Sequence, residues 1–361
     1  MSHACGSPVD EHAALRAADA AWNRAAEAAR VLEDVARFAL GDAHLTQRLK
    51  QLRHRGQQLA QALLGPRHLA MRDTPGDVGT ALSTPQEGRR ASLAQLVGAN
   101  ASRLQQALRT LEEMSKLLRP QLAPGWEQLR YTAYTLHKAL ATTNQAQERL
   151  QQARVYVLLD GRESLRELER LACGLIEGGV DVLQLRDKQL PDRELVRRGE
   201  LLRELVSGAQ TLFVFNDRAD LAVVCGADGV HVGQEELSVA QVRQVAGPQL
   251  LVGVSTHSLE QAEQAVLSGA DYIGVGPVFP SQTKHFDRFV GPELLRQVSA
   301  RVSLPAFAIG GITRENLPQV IAAGFTRVAL GQAVLGAADP AAEVRWFKEQ
   351  LQQAVESARG D

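Results

Sequence analysis

Three polar side chains stand at alternate positions where a short apolar run ends. The segment Asp181 to Leu190 reads DVLQLRDKQL and places Gln184, Arg186 and Lys188 two residues apart. Because successive side chains of a β-strand point to opposite faces, this spacing predicts that all three project to one side. A lone Arg or Lys is most often solvated surface, but two cations beside an amide suit a polyanion such as a diphosphate.

Two acidic residues follow later apolar runs. Asn216 ends the run TLFVFN, Asp217 comes directly after it, and Glu236 stands shortly past GVHVG. Carboxylates on neighbouring loops can hold Mg²⁺ through a few ligands and leave its other positions to phosphate and water. The alternative for both acids is charge complementation at a helix N-terminus.

Three further strand ends carry groups that suit phosphate. Ser255 ends one run, and the long polar segment GPVFPSQTKHFDRFVG predicts a lid, with Lys284 as its cation and Ser281 and Thr283 as hydroxyl donors. The last two runs end in IGGI and ALGQA, whose glycines let backbone N–H groups approach a second phosphate. An ordinary surface loop and tight packing at strand ends are the alternatives.

The elements that position these groups are eight short apolar runs, each followed by an amphipathic helical pattern. Near-continuous apolar strands alternating with helices are typical of a parallel sheet. Eight such units over residues 153–361 predict a (β/α)8 barrel of the TIM type, whose active sites lie at the carboxyl ends of the strands. The runs are VYVLL, VLQLR, TLFVFN, GVHVG, LLVGVS, YIGVGP, PAFAIGG and RVALG.

Residues 1–148 have a different pattern, with apolar positions at helical spacing and no alternating strand, and they predict an all-helical domain. This domain contains an internal repeat. Leu49–Leu64 matches Trp126–Ala141 at an offset of 77, and Arg24–Arg37 matches Arg103–Lys116 at an offset of 79. The repeat predicts two related helical hairpins about a pseudo-twofold axis.

The composition limits the classes of partner. Forty Lys and Arg against 41 Asp and Glu give a net charge of −1, which argues against nucleic acid and against an anionic membrane. Cys5, Cys173 and Cys225 are isolated, without a CxxC motif, which argues against disulfides, zinc and iron–sulfur centres. No stretch approaches 18 apolar residues and no signal peptide is recognisable. We expect a cytoplasmic protein with small phosphorylated substrates, and the sequence leaves a homo-oligomer open.

From about Val155 to Trp346 the chain resembles thiamine-phosphate synthase. The motifs QLRDK, FND, HVGQE, GVS, GPVFPSQTK and AIGGI occur in that order. The resemblance implies a transferase of thiamine biosynthesis that joins hydroxymethylpyrimidine diphosphate to thiazole phosphate and releases pyrophosphate. It implies Mg²⁺ as cofactor and leaves open whether the thiazole is carboxylated, in which case CO₂ is released too.

The resemblance also implies roles for individual residues. Asp217 and Glu236 would bind Mg²⁺, and Arg186, Lys188, Lys284 and Ser255 would be catalytic. The pyrimidine diphosphate would be held by Gln184, Leu185, Arg186, Asp187, Lys188, Asn216, Ser255 and Lys284. The thiazole phosphate would contact Ser281, Gln282, Thr283, Gly311, Gly331 and Gln332.

Three positions depart from the commonest family pattern. Glu236 stands for Asp, Ser281 for Thr and Gln332 for Ser. None of these changes removes a charge that the chemistry needs.

The helical half resembles a domain often fused ahead of this synthase and associated with phosphorylation of hydroxymethylpyrimidine phosphate. The resemblance lies in NRAAEAARVLEDVARF and in RDTPGDVG, which belongs to a Gly-, Pro- and Asp-containing loop between the repeats. It implies ATP as a cosubstrate, although a P-loop is excluded because no GxxxxGK[ST] motif occurs. Candidate phosphate and metal ligands are Arg24, Arg30, Glu33, Arg72, Asp73, Asp77, Arg103, Arg109 and Glu112.

Two other interpretations remain open. These charged residues could form a solvated face of i,i+3 and i,i+4 pairs, and the helical half would then serve only dimerisation or partner binding. The barrel could instead be a sugar-phosphate isomerase. That enzyme needs a general base at a strand end, and no Glu or His is obviously placed for one.

Overall fold

A computed structural model describes residues 8–66, 89–280 and 289–360. The chain divides into two compact units, Met1–Asn144 and Gln145–Asp361. Several predicted site residues lie outside the described residues: Arg72, Asp73, Asp77, Ser281, Gln282, Thr283 and Lys284.

The first unit is helical. Its helices are α1 (Pro8–Asp34), α2 (Ala43–Leu64), α3 (Leu93–Leu118) and α4 (Ala123–Arg149), of which the residues up to Asn144 belong to this unit, with a π-helical turn at Val35–Ala39 and a 3₁₀ turn at Pro120–Leu122. The repeated segments lie on α1 and α3 and on α2 and α4. Side-chain caps define two of the starts, since Asp42 accepts from the backbone N–H of Leu45 and Ser92 from that of Gln95.

Small and large side chains alternate in the core of this unit. Trp22 and Trp126 pack with ring centroids 6.0 Å apart. A Cβ at Gly56 would overlap the Trp22 ring, so glycine makes the room that this ring occupies. The inward face of α1 is built from alanines, which let a neighbouring helix approach closely: Ala14, Ala18, Ala21, Ala25, Ala28 and Ala29.

The second unit is a closed barrel of eight parallel strands in sequential order, with β1 paired to β8. The predicted (β/α)8 fold is confirmed. The strands are β1 (Val155–Leu159), β2 (Val182–Leu185), β3 (Leu212–Asn216), β4 (Gly229–Val232), β5 (Leu251–Thr256), β6 (Tyr272–Val275), β7 (Ala306–Ile309) and β8 (Val328–Leu330). The helices are α5 (Leu165–Glu177), α6 (Asp192–Leu205), α7 (Ala219–Val224), α8 (Val239–Ala246), α9 (Leu259–Ser268), α10 (Gly291–Arg301), α11 (Leu317–Ala322), α12 (Gln332–Leu335) and α13 (Pro340–Gly360).

Aromatic rings fill the barrel interior. Tyr156 and Tyr272 both pack edge-on against Phe307, with centroids 5.3 and 5.7 Å away. Gly253 is in register with Tyr272 on one side and His231 on the other, and a Cβ there would overlap the tyrosine ring. Glycine on β5 therefore leaves the space into which the Tyr272 side chain of β6 extends.

An aspartate precedes each of β2, β4 and β6 at the amino end of the barrel. Asp181, Asp228 and Asp271 accept from the backbone N–H groups of Val155, Phe213 and Val252, at 2.9, 2.8 and 2.7 Å. Each carboxylate also has a cationic partner: Lys348, Arg203 and Arg243 respectively. These contacts tie the starts of β1, β3 and β5 to the strands that follow them and so help to set the strand register.

Candidate active site

A row of hydrogen-bonded polar groups lies inside the barrel. Gln184 Nε2 donates to the Tyr156 hydroxyl at 2.9 Å, and that oxygen lies 3.0 Å from the Tyr272 hydroxyl. The Tyr272 hydroxyl lies 3.3 Å from Nδ1 of His231, whose Nε2 lies 2.9 Å from Oγ of Ser255. Gln184 and Ser255, both predicted to contact substrate, are thus connected through three residues that the sequence reasoning did not select.

The three connecting residues are uncharged at neutral pH. Burial, assisted by the positive charge of Arg186, lowers the pKa of His231 to about 4. Burial also raises the pKa of the Tyr156 and Tyr272 hydroxyls well above the ordinary value. The site therefore offers neutral hydrogen-bonding groups beside a cation.

Sequence reasoning could have found these residues by one signal. Tyr156, His231 and Tyr272 all occupy inward-facing strand positions, and a polar group at such a position must find a partner inside the barrel.

The amide oxygen of Gln184 has a different environment from its amide nitrogen. Gln184 is 2% exposed, and its Oε1 atom has no hydrogen-bond partner among the residues that the structure describes. An orphaned buried acceptor costs about 1–3 kcal/mol. Oε1 is therefore suited to accept from a ligand N–H group.

Lys188, Asp217 and Glu236 meet at the rim where β2, β3 and β4 end. Lys188 Nζ lies 3.4 Å from Oδ2 of Asp217 and 4.0 Å from Oε1 of Glu236. Asn216 Nδ2 donates to Oδ2 of Asp217 at 2.6 Å. A Cβ at Gly233 would overlap the Glu236 carboxylate, so this glycine permits the approach.

The backbone of Asp217 is in the left-handed region with a φ of 61°, which is unusual for a residue with a side chain. Such strain persists only where surrounding contacts over-determine it. Here the Asp217 N–H donates to the His231 carbonyl at 2.8 Å while the side chain meets Asn216 and Lys188.

This arrangement fits a divalent cation. Two carboxylates already converge on one positive group, the Lys188 ammonium. Within the described ranges no cluster of three or more Asp, Glu, His or Cys side chains could hold a metal by itself. Mg²⁺ is commonly bound through one or two carboxylates, with waters and substrate phosphates completing its shell, so the two acids are a sufficient protein contribution.

The remaining residues of QLRDK have distinct positions. Strand β2 ends at Leu185, one residue earlier than the predicted run, and the half-buried Arg186 follows with its N–H donating to the Leu159 carbonyl. Leu185 is buried in the core. Asp187 accepts from the backbone N–H of Gly161 through Oδ2 and from two N–H groups of its own loop through Oδ1. Both carboxylate oxygens of Asp187 thus shape the loop.

The loops after β6 and β7 are hydrogen-bonded to each other. Val278 and Phe279 donate backbone N–H groups to the carbonyls of Ile309 and Gly310, at 2.9 and 3.0 Å. Gly311 has a φ of 63°, and a Cβ there would overlap the carbonyls of Phe279 and Pro280. A residue with a side chain would therefore clash with the neighbouring loop at position 311, which explains the glycine there.

Loop eight and the lid segment complete the predicted phosphate site. Gly331 precedes helix α12 and Gln332 is exposed. The four residues predicted for the lid, Ser281 to Lys284, lie outside the described residues.

Comparison with known proteins assigns the chain to a family. A family model described as thiamine monophosphate synthase matches residues 155–334. Over 338 residues the chain is 44% identical to a thiamine-phosphate synthase of Rhodopirellula baltica, in a match covering 90% of this chain and 89% of that protein. The chain belongs to the thiamine-phosphate synthase family.

Further members of the family show the same relationship. A thiamine-phosphate synthase of Gloeobacter violaceus is 43% identical over 343 residues, 95% of this chain and 98% of its own length. The solved structure of a thiamine phosphate pyrophosphorylase from Pyrococcus furiosus is 35% identical, covers 55% of this chain and 97% of its own, and has a TM-score of 0.50. The resemblance predicted from the barrel motifs is confirmed.

The helical unit of this family member matches a second model. The ThiD2 family model covers residues 16–139, which confirms the predicted resemblance of this half. Within the described parts of the chain no helix is both long and apolar enough to cross a membrane.

The predicted charged residues of the helical unit form two repeat-related clusters. Glu33 is buried and pairs with Arg30 and Arg53, each at 3.1 Å. Glu112, its repeat partner, is buried and pairs with Arg109 at 2.7 Å and, on α4, with Arg130 at 3.0 Å. Four of the candidate residues, Arg30, Glu33, Arg109 and Glu112, are thus engaged in ion pairs within the unit.

Two candidates have a different environment. Arg24 and Arg103 are exposed, occupy equivalent positions in the two repeats, and show no ion pair with another described residue. Among the candidate residues that the structure describes, the charges of Arg24 and Arg103 are therefore open to an external anion.

Proposed function

We propose that the barrel joins hydroxymethylpyrimidine diphosphate to thiazole phosphate and releases pyrophosphate. The observation that carries this proposal is a charged cluster at the ends of the strands together with an uncharged row of hydrogen-bonded groups inside the barrel. Lys188, Asp217 and Glu236 form the first, and the Gln184-to-Ser255 row forms the second. A diphosphate attached to a neutral heteroaromatic ring has the matching division of charge.

The charged cluster suits the leaving group. As the bond between the pyrimidine methylene and the diphosphate breaks, negative charge grows on the diphosphate, and preorganised cations stabilise it. Arg186 and Lys188 lie on the loop that leaves β2, and the resemblance adds Lys284. Asp217 and Glu236 would hold Mg²⁺, which supplies further neutralisation of the diphosphate oxygens when bound.

The uncharged row of groups suits the ring that loses the diphosphate. Positive charge develops on the pyrimidine methylene, and a cationic neighbour would oppose it. His231 remains neutral because its pKa is about 4, so the row places no positive histidine beside the positively charged methylene. Gln184 Oε1 offers an acceptor to a ring amino group, and Ser255 offers a hydroxyl.

The second substrate needs positioning rather than acid–base catalysis. The thiazole nitrogen attacks a carbon that is already electrophilic, so holding it in line is the main requirement. Its phosphate would lie against Gly311 and Gly331, where the absence of a side chain lets a ligand approach the backbone closely. This division of labour fits a site without a charged general base.

The test supplies the purified protein with the pyrimidine diphosphate, thiazole phosphate and Mg²⁺, and measures thiamine phosphate and pyrophosphate. We expect both products in equal amounts. Running the assay with carboxylated thiazole phosphate and measuring CO₂ decides which thiazole is used. Absence of thiamine phosphate with both thiazoles contradicts the proposal.

For the helical unit we propose ATP-dependent phosphorylation of hydroxymethylpyrimidine phosphate, which would supply the barrel's substrate. Support comes from the ThiD2 family match and from the repeat-related pair Arg24 and Arg103. The assay gives the Arg186→Ala protein ATP, Mg²⁺ and the pyrimidine monophosphate, so that the diphosphate accumulates instead of being consumed. Absence of diphosphate in this assay, while the wild-type barrel remains active, contradicts the kinase proposal alone.

An interaction module is the second candidate function of the helical unit. Phe38 and Leu117 are 71% and 59% exposed, and they occupy equivalent positions in the two repeats. Paired exposed apolar side chains favour a symmetric contact. Light scattering on Phe38→Ser/Leu117→Ser should then show a smaller assembly than wild type, whereas Val245→Ser, an exposed apolar residue elsewhere, should not.

We keep the cytoplasm as the proposed location. Cys173 and Cys225 are free thiols, and burial raises the pKa of the Cys225 thiol to about 11, so it is unreactive. Free buried thiols are typical of a reducing compartment.

A further inference from the structure

The row of groups from Gln184 to Ser255 has a property that follows from counting hydrogens. Four contacts of 2.9, 3.0, 3.3 and 2.9 Å join Gln184, Tyr156, Tyr272, His231 and Ser255. The two tyrosines are 3% and 2% exposed. Each tyrosine has one hydrogen and two neighbours in the row, so it must donate to one neighbour and accept from the other.

Neutral histidine obeys the same rule. One of its ring nitrogens carries a hydrogen and the other accepts. Nδ1 of His231 lies next to the Tyr272 hydroxyl, and Nε2 lies next to the Ser255 hydroxyl. The tautomer of His231 therefore determines whether it donates a hydrogen to Tyr272 or to Ser255. A single reversed member would leave one contact with two hydrogens and another with none.

We propose that Tyr156, Tyr272 and His231 form a directional hydrogen-bond relay that couples the amide orientation of Gln184 to the hydrogen direction of Ser255. In the observed orientation Gln184 Nε2 donates to Tyr156, Tyr156 to Tyr272 and Tyr272 to Nδ1 of His231. His231 is then the Nε2–H tautomer and donates to Ser255. The Ser255 hydrogen is left to point at a ligand.

The opposite orientation is equally consistent within the row. If Gln184 turns its Oε1 atom toward Tyr156, every donor reverses and His231 becomes the Nδ1–H tautomer. Ser255 then donates to His231 and offers a ligand only a lone pair, while Gln184 offers its NH₂ group. The relay thus permits two complementary patterns: acceptor at Gln184 with donor at Ser255, or the reverse.

The consequence for substrate choice rests on the proposed function. A ring amino group donating to Gln184 Oε1 selects the first pattern, so the hydrogen of Ser255, at the other end of the row, is available to the ligand. A ring that carries an oxygen in place of that amino group selects the second pattern and loses the Ser255 donor. Tyr156, Tyr272 and His231 are positioning residues in this scheme, since none of them needs to touch the reacting atoms.

The test reads the tautomer of His231 by nitrogen-15 NMR on the full chain labelled in histidine, without substrate. The resonances are assigned by their loss in His231→Gln. Wild type should show mainly the Nε2–H tautomer. Gln184→Glu, measured at a pH where the introduced carboxyl group is ionised, can only accept from Tyr156, so the ratio should shift toward Nδ1–H by on the order of tenfold, the effect of one hydrogen bond.

Three variants make the outcome decisive. Gln184→Met removes the donor without adding charge and should move the ratio toward an even mixture. Tyr272→Phe interrupts the relay, so adding Gln184→Glu to it should leave the ratio unchanged. Gln234→Glu is the matched control, because the side chain of Gln234 hydrogen-bonds to the backbone carbonyl of Ser255 and to no member of the row through a side chain, so the change should not affect the tautomer.

Two results would overturn the relay. One is a ratio that neither Gln184→Glu nor Gln184→Met changes; the other is a shift by Gln184→Glu that persists with Tyr272→Phe. Both measurements are made without substrate, so they are independent of whether the barrel forms thiamine phosphate.

Discussion

Lys188 and Asp217 form an ion pair across the ends of β2 and β3, with Nζ and Oδ2 3.4 Å apart. Glu236 approaches the same ammonium at 4.0 Å. The Lys188 side chain is 57% exposed, so it can move from the two carboxylates to an arriving phosphate at little cost. The two acids would then share a different cation, which is the geometry expected for a magnesium site loaded together with its substrate.

Asp217→Asn should raise the Mg²⁺ concentration needed for half-maximal activity. Asparagine keeps the size of the side chain but removes the charge that a hard divalent cation prefers. The loss should reach at least the 10- to 100-fold in metal affinity that even outer-shell partners contribute. A magnesium titration of the synthase rate measures it.

The matched control for this variant is Glu235→Gln. Glu235 is an exposed carboxylate adjacent to Glu236 and shows no ion pair with another described residue. Its magnesium dependence should equal that of wild type. Equal titration curves for Asp217→Asn and wild type would remove Asp217 from the metal site.

Arg186→Ala should lower kcat by on the order of a hundredfold, the usual loss for one preorganised electrostatic group. The reason is loss of positive charge beside the departing diphosphate. Arg197→Ala is the control: Arg197 is an exposed arginine of α6 that pairs with Glu194, and kcat should not change. A wild-type rate in Arg186→Ala would refute the role of Arg186.

The eight strands could be predicted from the sequence because each is buried on both faces and appears as a short apolar run. The apolar run predicts the end of β2 one residue too late. The backbone N–H of Arg186 still donates a hydrogen bond to the Leu159 carbonyl, although Arg186 lies outside the strand. Gln184 could be predicted as a site residue because it alternates with Arg186 and Lys188 where an apolar run ends. These features can be predicted because they depend on residues that are neighbours in the sequence.

Other features of the site depend on contacts between distant strands. Tyr156 and Tyr272 are 116 positions apart, and the Tyr272 ring reaches its place beside Tyr156 across a position on β5, Gly253, that has no side chain. The sequence does not show the partners of His231 either, because a histidine within one apolar run gives no indication of the side chains on other strands that it contacts. In the helical unit, the pairing of Glu112 with Arg130 joins α3 to α4 and could not be read from helical spacing alone.

Glu112→Gln should destabilise the helical unit by about 3 kcal/mol at neutral pH, because the largely buried Arg130 guanidinium then loses its nearest carboxylate. Glu112 is 3% exposed and interacts with Arg109, Lys116 and Arg130. Glu113→Gln is the control, since Glu113 shares Arg109 and Lys116 but is 42% exposed, and it should cost less than about 1 kcal/mol. Urea unfolding followed by circular dichroism measures both.

The cost of Glu112→Gln should depend on pH. Burial would raise the pKa of Glu112, but hydrogen bonds from Lys116 and Arg130 together with nearby charges outweigh it, so the pKa lies below 4.5. A carboxylate with a lowered pKa contributes stability that is present above the unfolded-state value and is lost as pH falls through the folded-state value. The difference between wild type and Glu112→Gln should therefore be constant above pH 4.5 and shrink below it. A difference that grows on acidification would contradict this assignment.

Gly253→Ala should reduce both stability and activity, because the added methyl group overlaps the Tyr272 ring and must displace it. Overpacking of this kind costs typically about 1–3 kcal/mol, and the displaced hydroxyl would lose its contacts with Tyr156 and His231. Gly174→Ala in α5 is the matched control: its Cβ would meet nothing within 4 Å, and alanine should stabilise the helix by about 0.5–1 kcal/mol. Thermal unfolding and the synthase assay on both variants measure the contrast. Full activity of Gly253→Ala at unchanged stability would show that the barrel interior tolerates a different tyrosine position, and that the tight fit of Tyr272 against β5 does not determine the site.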